Sequence, residues 1–173
     1  MPDLFFECHS GISGDMTLGA LVDLGADLDA IASGLARLPV AGFRLRAEKT
    51  KSHGVAATRV RVEIDEAHDV HRSWPEIRDI VRGAGLSERV ERRALTAFER
   101  LARAEAKVHA ADIERIHFHE VGALDAIVDV AGSMLALELL DAGRIRCSAL
   151  NVGHGTVRTH HGVLPVPAPA TAE

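Results

Sequence analysis

Two neighbouring stretches of this chain alternate apolar and charged residues with a strict period of two. Phe43, Leu45 and Ala47 interleave with Arg44, Arg46 and Glu48, and Val60, Val62 and Ile64 interleave with Arg59, Arg61 and Glu63. Successive side chains of a strand point to opposite faces, so each stretch reads as a half-buried strand. Lys49 to Gly54 then reads as a basic turn joining them. A hairpin with one apolar face needs a cover, and the sequence around it repeats at helical spacing instead. A helix is expected from Ser13 or Gly14 to Leu24 with Gly25 as its stop, and another from Leu28 to Leu38 before Pro39. Pro75 sits in the first turn of a third, whose apolar face is Ile77, Ile80 and Val81. Ser87 caps a fourth that runs to about Ala110. Val90, Ala94, Phe98, Leu101, Glu105 and Val108 form its stripe, with a carboxylate out of place among them. A fifth helix is expected from Val121 to Leu140, ended by Gly143. Leu4 to Cys8 reads as a short buried strand, Ile145 to Ala149 as another, and Leu164 to Pro169 as a rigid extended run. The fold class expected is α+β: a small mixed sheet with a β-hairpin packed against several helices, residues 1–173 forming a single domain.

Composition narrows the function classes. A net charge of −5 over 173 residues lacks the basic face that coats nucleic acid. Aromatics are 3% of the chain, with no Tyr, which argues against a base-stacking platform. No run approaches the roughly 20 apolar residues of a membrane span. Neither nucleic acid nor membrane is expected as a partner. Cys8 and Cys147 are the two cysteines and lack CxxC spacing. No secretory leader is visible, so a reducing cytoplasm is the expected compartment.

Four groups of residues could carry chemistry. In Cys8 to Asp15 a strand passes through Gly11-Ile12-Ser13-Gly14 into a helix, where backbone amides attract anions. No Gly-Lys-Ser/Thr ending follows, so this is not a Walker A loop. Asp15 either ligates Mg²⁺ or serves the helix dipole. His117-Phe118-His119-Glu120 places two imidazoles on one face if extended, a donor set suited to Ni²⁺, Zn²⁺ or Cu²⁺; otherwise these are surface histidines at a helix entry. Asp125 and Asp129 are spaced i, i+4, where like charges repel unless a cation relieves them or both are solvated. His68 and His71 lie in a polar loop, His160 and His161 precede Gly162, and Glu105 and His109 form an i, i+4 pair. None has a Cys₂His₂ pattern, so a closed zinc site is not expected.

Four segments stand in the order found in the LarC nickel-insertion family, which the chain resembles over its whole length. They are Ser10 to Met16, Ala104 to His109, His117 to Asp125, and His161 to Thr171. The loop His68-Asp69-Val70-His71-Arg72 is poorer in adjacent histidines than that family's. The resemblance implies insertion of nickel into pyridinium-3,5-bisthiocarboxylic acid mononucleotide with CTP hydrolysis, CTP being accompanied by Mg or Mn. The product would be the nickel-pincer cofactor of lactate racemase-type enzymes, and a nickel–carbon bond would make the enzyme a cyclometallase, a lyase. It further implies that these residues are the N-terminal portion of a longer protein, whose nucleotide-binding C-terminal portion would act in cis or in trans.

On that reading His117 and His119 hold nickel, with His68 and His71 as further candidate ligands. Glu120, Asp125, Asp129 and Asp15 are the candidate catalytic carboxylates, as ligands or as the base that takes the ring proton. Gly11, Ser13 and Gly14 would hold a phosphate through their amides, with Lys51 reaching it from the hairpin. Self-association into a homo-oligomer is also expected. Two rival classes remain: a nickel-binding or storage module without catalysis, and a Mg²⁺-dependent phosphohydrolase using Asp15, Asp125 and Asp129.

Overall fold

A computed structural model of the chain describes residues 1–52, 54–65, 72–118, 123–159 and 162–173. The protein is α+β. The elements run β1 (Leu4–Phe6), α1 (Gly14–Asp23), α2 (Leu28–Leu35), β2 (Phe43–Ser52), β3 (Val55–Ile64), α3 (Trp74–Gly83) and α4 (Glu88–Val108). A 3-10 turn at Ile113–Arg115 precedes α5 (Leu124–Leu139), β4 (Ile145–Cys147), β5 (Thr156–Thr159), β6 (Gly162–Pro165) and α6 (Pro169–Ala172). Among the described residues no helix is long and apolar enough to cross a membrane.

Among the described residues the strands form three separate two-stranded ladders, not one mixed sheet: β1 with β4 in parallel, and β2 with β3 and β5 with β6 antiparallel. The central hairpin is longer than its apolar alternation. Lys49 to Ser52 belong to the ladder rather than to a basic turn, and Lys51 pairs with Ala56. Backbone pairing does not need apolar side chains, and the polar end has its own partners. Lys49 Nζ lies 2.6 Å from Asp23 Oδ1 and 2.7 Å from Thr58 Oγ1. The β5–β6 hairpin was not expected, because its apolar positions do not alternate cleanly. The proline run is not extended throughout: β6 ends at Pro165, the chain bends at Val166 and Pro167 through a cis peptide bond, and α6 begins at Pro169.

Helix α5 is the centre of the molecule. Leu124, Ile127, Val128, Ala131, Gly132, Ser133, Ala136 and Leu137 are buried on it, which is more than one stripe. A helix covered on several sides reads this way, and α5 packs against α1, α2, α4 and β3. Small residues set the approach. A β-carbon at Gly34 would lie 2.9 Å from Leu135 Cδ1, and one at Gly19 would lie 2.6 Å from the Thr58 carbonyl oxygen, so α1 rests directly on β3. Helix α5 ends at Leu139 with Leu140 as its C-cap, and the left-handed residue that turns the chain away is Asp141, with a φ of +50°, rather than Gly143. Helix α2 stops at Leu35, though Leu38 beyond it is still buried. On α4 the core stripe is Val90, Ala94, Phe98 and Ala102. The carboxylate of Glu105 falls beyond it, 3.4 Å from His109 Nε2.

Candidate functional site

The glycine loop is built by two distant parts of the chain. Strand β1 delivers Cys8, whose amide donates to Ser148 Oγ at 2.8 Å. Asn151 Nδ2 donates to the His9 carbonyl at 3.0 Å, and the Gly11 amide donates to the Cys8 carbonyl at 3.0 Å. Gly11 has a φ of +86°, and a β-carbon there would come within 3.1 Å of the Asn151 carbonyl oxygen. A side chain at residue 11 would therefore be both strained and crowded. Ser13 caps α1. Its hydroxyl also bonds to Asp15 Oδ1, which accepts from the Met16 amide at 2.9 Å. The first amides of a helix have no intrahelical acceptor; here the chain's own Asp15 carboxylate and Ser13 hydroxyl take up the Met16 amide.

The start of α1 lies against the first turns of α5. A β-carbon at Gly14 would overlap the Asp129 carboxylate and stand 2.6 Å from its Cβ, so Asp129 occupies the space that glycine leaves. Asp15, Asp125 and Asp129 line one cleft of about 670 Å³ with Ser13 and Gly14. Its other wall is β3, with Arg59, Arg61 and Glu63. Asp129 Oδ1 is buried and has no hydrogen-bond partner among the described residues. Burial first, then the charges of Asp15 and Asp125, push its pKa up to about 6. Desolvation and like charge both disfavour the ionised form, so this carboxyl gains affinity for a proton or a cation near neutral pH.

Three predicted carboxylates thus converge, although they come from helices more than 100 residues apart. Arg59 and Arg61 were not among the expected site residues; their alternation with Val60 and Val62 marks a solvent face, and the solvent face is what the cleft uses. Lys51 is not among the residues lining the cleft. It pairs with Ala56, four residues along the strand from Val60, an offset of about 13 Å. His117 does not line the cleft either. It is exposed, forms a bridge with Ser73, and its Nδ1 lies 3.2 Å from the Arg115 carbonyl. If Nδ1 carries the proton for that bond, Nε2 is left as the metal-binding nitrogen. His119, Glu120, His68 and His71 lie outside the described residues, as do His160 and His161. Among the described residues no group of three or more His, Cys, Asp or Glu is arranged to hold a metal ion.

Fold and cleft define an α+β domain that sets carboxylates and guanidiniums against a helix N-terminus. The sequence profile of the family described as nickel insertion protein matches residues 4–173, and the chain belongs to that family. A Citrifermentans bemidjiense protein provisionally named a nickel insertion protein is 47% identical over 169 residues, 98% of this chain and 44% of that relative. A Dictyoglomus thermophilum protein with the same name is 46% identical over 173 residues, covering all of this chain and 45% of its own length. The pyridinium-3,5-bisthiocarboxylic acid mononucleotide nickel insertion protein of Staphylococcus saprophyticus is 44% identical over 170 residues, 98% of this chain and 43% of that protein. The chain therefore spans less than half the length of these relatives. No solved structure matches it.

Proposed function

We propose that this chain carries the metal-insertion half of an enzyme that places nickel in pyridinium-3,5-bisthiocarboxylic acid mononucleotide. The observation that supports this best is Asp129: seated on Gly14, with one oxygen unpartnered and its pKa raised to about 6. The substrate's name places a thiocarboxylate on each side of one ring carbon. Its two sulfurs can take nickel as it arrives, so the protein need not supply a complete ligand set. What remains is to break a carbon–hydrogen bond as the nickel–carbon bond forms, with the proton passing to a base. A carboxylate whose pKa lies near the working pH suits that transfer. Asp15 and Asp125 add to the negative potential that draws the incoming cation towards Asp129, and the Gly11 amide, bonded to the Cys8 carbonyl, is not free to hold a phosphate. His117, through Nε2, and His119 are the entry ligands for nickel. CTP hydrolysis and its Mg or Mn ion are assigned to the part of the protein beyond these residues, and the compartment is the cytoplasm.

The test is nickel insertion by mixtures of this chain, the C-terminal portion of the Staphylococcus saprophyticus relative and CTP, with the nickelated nucleotide detected by mass spectrometry. Asp129→Asn is expected to slow insertion about a hundredfold or more, the usual effect of losing a positioned base. His117→Ala is expected to weaken calorimetric Ni²⁺ affinity about tenfold, or ~1.4 kcal/mol. An unchanged rate in Asp129→Asn removes that residue's role, and no nickelated product from any mixture removes the function. The same cleft favours a second reading, Mg²⁺-dependent phosphate ester hydrolysis, because carboxylates and two arginines face one another. Turnover of a simple phosphate ester without nickel would select it.

A further inference from the structure

We propose that a second cavity, on the other side of the glycine loop, seats the organic anion on which the cleft acts; this rests on the nickel-insertion reading above. A groove of about 620 Å³ lies between the β1–β4 ladder and helices α4 and α5. That volume is within the usual range for small-molecule sites, roughly 300–1,000 Å³. Its floor is apolar, with Phe6, Ile12, Met134, Leu137 and Ile145. Arg92, Arg93 and Arg100 of α4 also line it, and no Asp or Glu is among its described lining residues. On a chain of net charge −5, an apolar pocket lined by Arg93 and Arg100, with Arg92 paired to Glu88 at 3.3 Å, selects an anion with an apolar body.

Arg93 sharpens the assignment. Its Nη1 is buried and has no hydrogen-bond partner among the described residues. A desolvated guanidinium N–H without an acceptor is costly, and a turn of the Arg93 side chain towards an anionic oxygen or sulfur in the groove would relieve it. Arg93 and Arg100 are seven residues apart on one helix face, about 10 Å along the axis. That spacing suits a ligand with more than one anionic group. The carboxylate cleft is the wrong place for such a ligand, because Asp15, Asp125 and Asp129 would repel it.

Groove and cleft share one wall. Ile12 and Thr17 line the groove, while Ser13, Gly14 and Asp15, between them in sequence, line the cleft. Along α5, Ser133 faces the groove and Asp129 the cleft, one helical turn or about 6 Å apart. A ring held in the groove therefore has its edge close to the carboxylates, with anion and cation drawn from opposite sides of the loop.

The probe is nicotinic acid mononucleotide, a pyridinium mononucleotide bearing a carboxylate, titrated calorimetrically into the 173-residue chain without nickel. Cys147 is exposed and lines the groove, so its alkylation by iodoacetamide, located by mass spectrometry, reports occupancy. We expect the probe to slow that alkylation. Arg100→Gln, at an exposed position that leaves folding intact, and Arg93→Gln are each expected to weaken binding about tenfold or more. Asp129→Asn is expected to bind at least as tightly as wild type. Binding that leaves Cys147 unprotected, ignores Arg100→Gln and falls in Asp129→Asn puts the nucleotide in the cleft and overturns the proposal. Failure to bind the probe at millimolar concentration also overturns it. Either result can occur while nickel insertion proceeds, so this inference can fail without the proposed function.

Discussion

At the scale of single residues, Asp129 and Gly14 are one feature. Asp129 has its folded pKa raised to about 6 from an ordinary 3.8 by burial and by two neighbouring carboxylates. Between those values the folded chain holds a proton that the unfolded chain has released. Stability contributed by this residue is therefore lost as pH rises from about 4 to about 6, and it stays lost above. Asp129→Asn is expected to melt above wild type at pH 7.5, and the gap should shrink on acidification towards pH 4.5. Thermal melts at the two pH values check it; a gap that grows in acid contradicts the assignment. Gly14→Ala forces a β-carbon into the Asp129 side chain, including its Cβ, which cannot swing away. Overpacking of this kind costs about 1–3 kcal/mol, and at roughly 2–4 °C per kcal/mol the melting temperature should fall by several degrees. Nickel affinity should fall with it. A residue chosen for packing alone would not carry a destabilising charge, so the cost points to use.

At the scale of elements, α3 shows how a helix start fixes a neighbouring segment through an isolated bridge between Ser73 and His117. Ser73 and Glu76 form a capping box: the Ser73 amide donates to Glu76 Oε2 at 2.6 Å, and the Ser73 hydroxyl accepts from the Glu76 amide at 3.4 Å. The same turn pairs with residues 116–118. Trp74 donates its amide to the Ile116 carbonyl at 3.1 Å, and Phe118 donates to the Arg72 carbonyl at 3.0 Å. The hydrogen bonds from Ser73, side chain first and then backbone, hold the Glu76 carboxyl below its usual range. This stabilisation is present at neutral pH and lost as pH falls through that lowered value. Ser73→Ala is expected to cost about 1 kcal/mol, a melting-temperature drop of roughly 2–4 °C, and to loosen His117 along with the bridge. A melt of the variant beside wild type at pH 7 checks it. Helices of this kind were legible in the sequence. Ser87, Pro75 and the 3.6-residue stripes are local signals, and the period of two gave both strands of the long hairpin. The meeting of elements was not legible. That Asp15 faces Asp129 depends on α1 packing on α5, and nothing near either residue encodes it. Arg59 and Arg61 read as a solvent face, which is true of the strand and silent about the cleft beside it. The β5–β6 hairpin lacks alternation, and its pairing rests on backbone bonds that leave no mark in side-chain pattern.

At the scale of the molecule, the chain is expected to bind nickel without turning over CTP. No loop among its 173 residues ends in Gly-Lys-Ser/Thr, and relatives carry more than half their length outside the matching region. Release of CMP and pyrophosphate by the purified chain measures this; steady multiple turnover would contradict the division of labour. The route by which the chain closes on itself has a consequence of its own. Leu4, Phe5 and Phe6 pair with Ile145, Arg146 and Cys147, and the glycine loop is then held by Ser148 and Asn151. Contacts separated by some 140 residues form late, because the intervening chain must first be ordered. During synthesis, residues 9–14 must wait for their anchors until residue 151 has left the ribosome. The helical core can form earlier, so a nascent chain would be structured before its glycine loop was anchored. The anchoring of the glycine loop is in this way timed to the arrival of residues 148–151, well after the helices that surround it have been made.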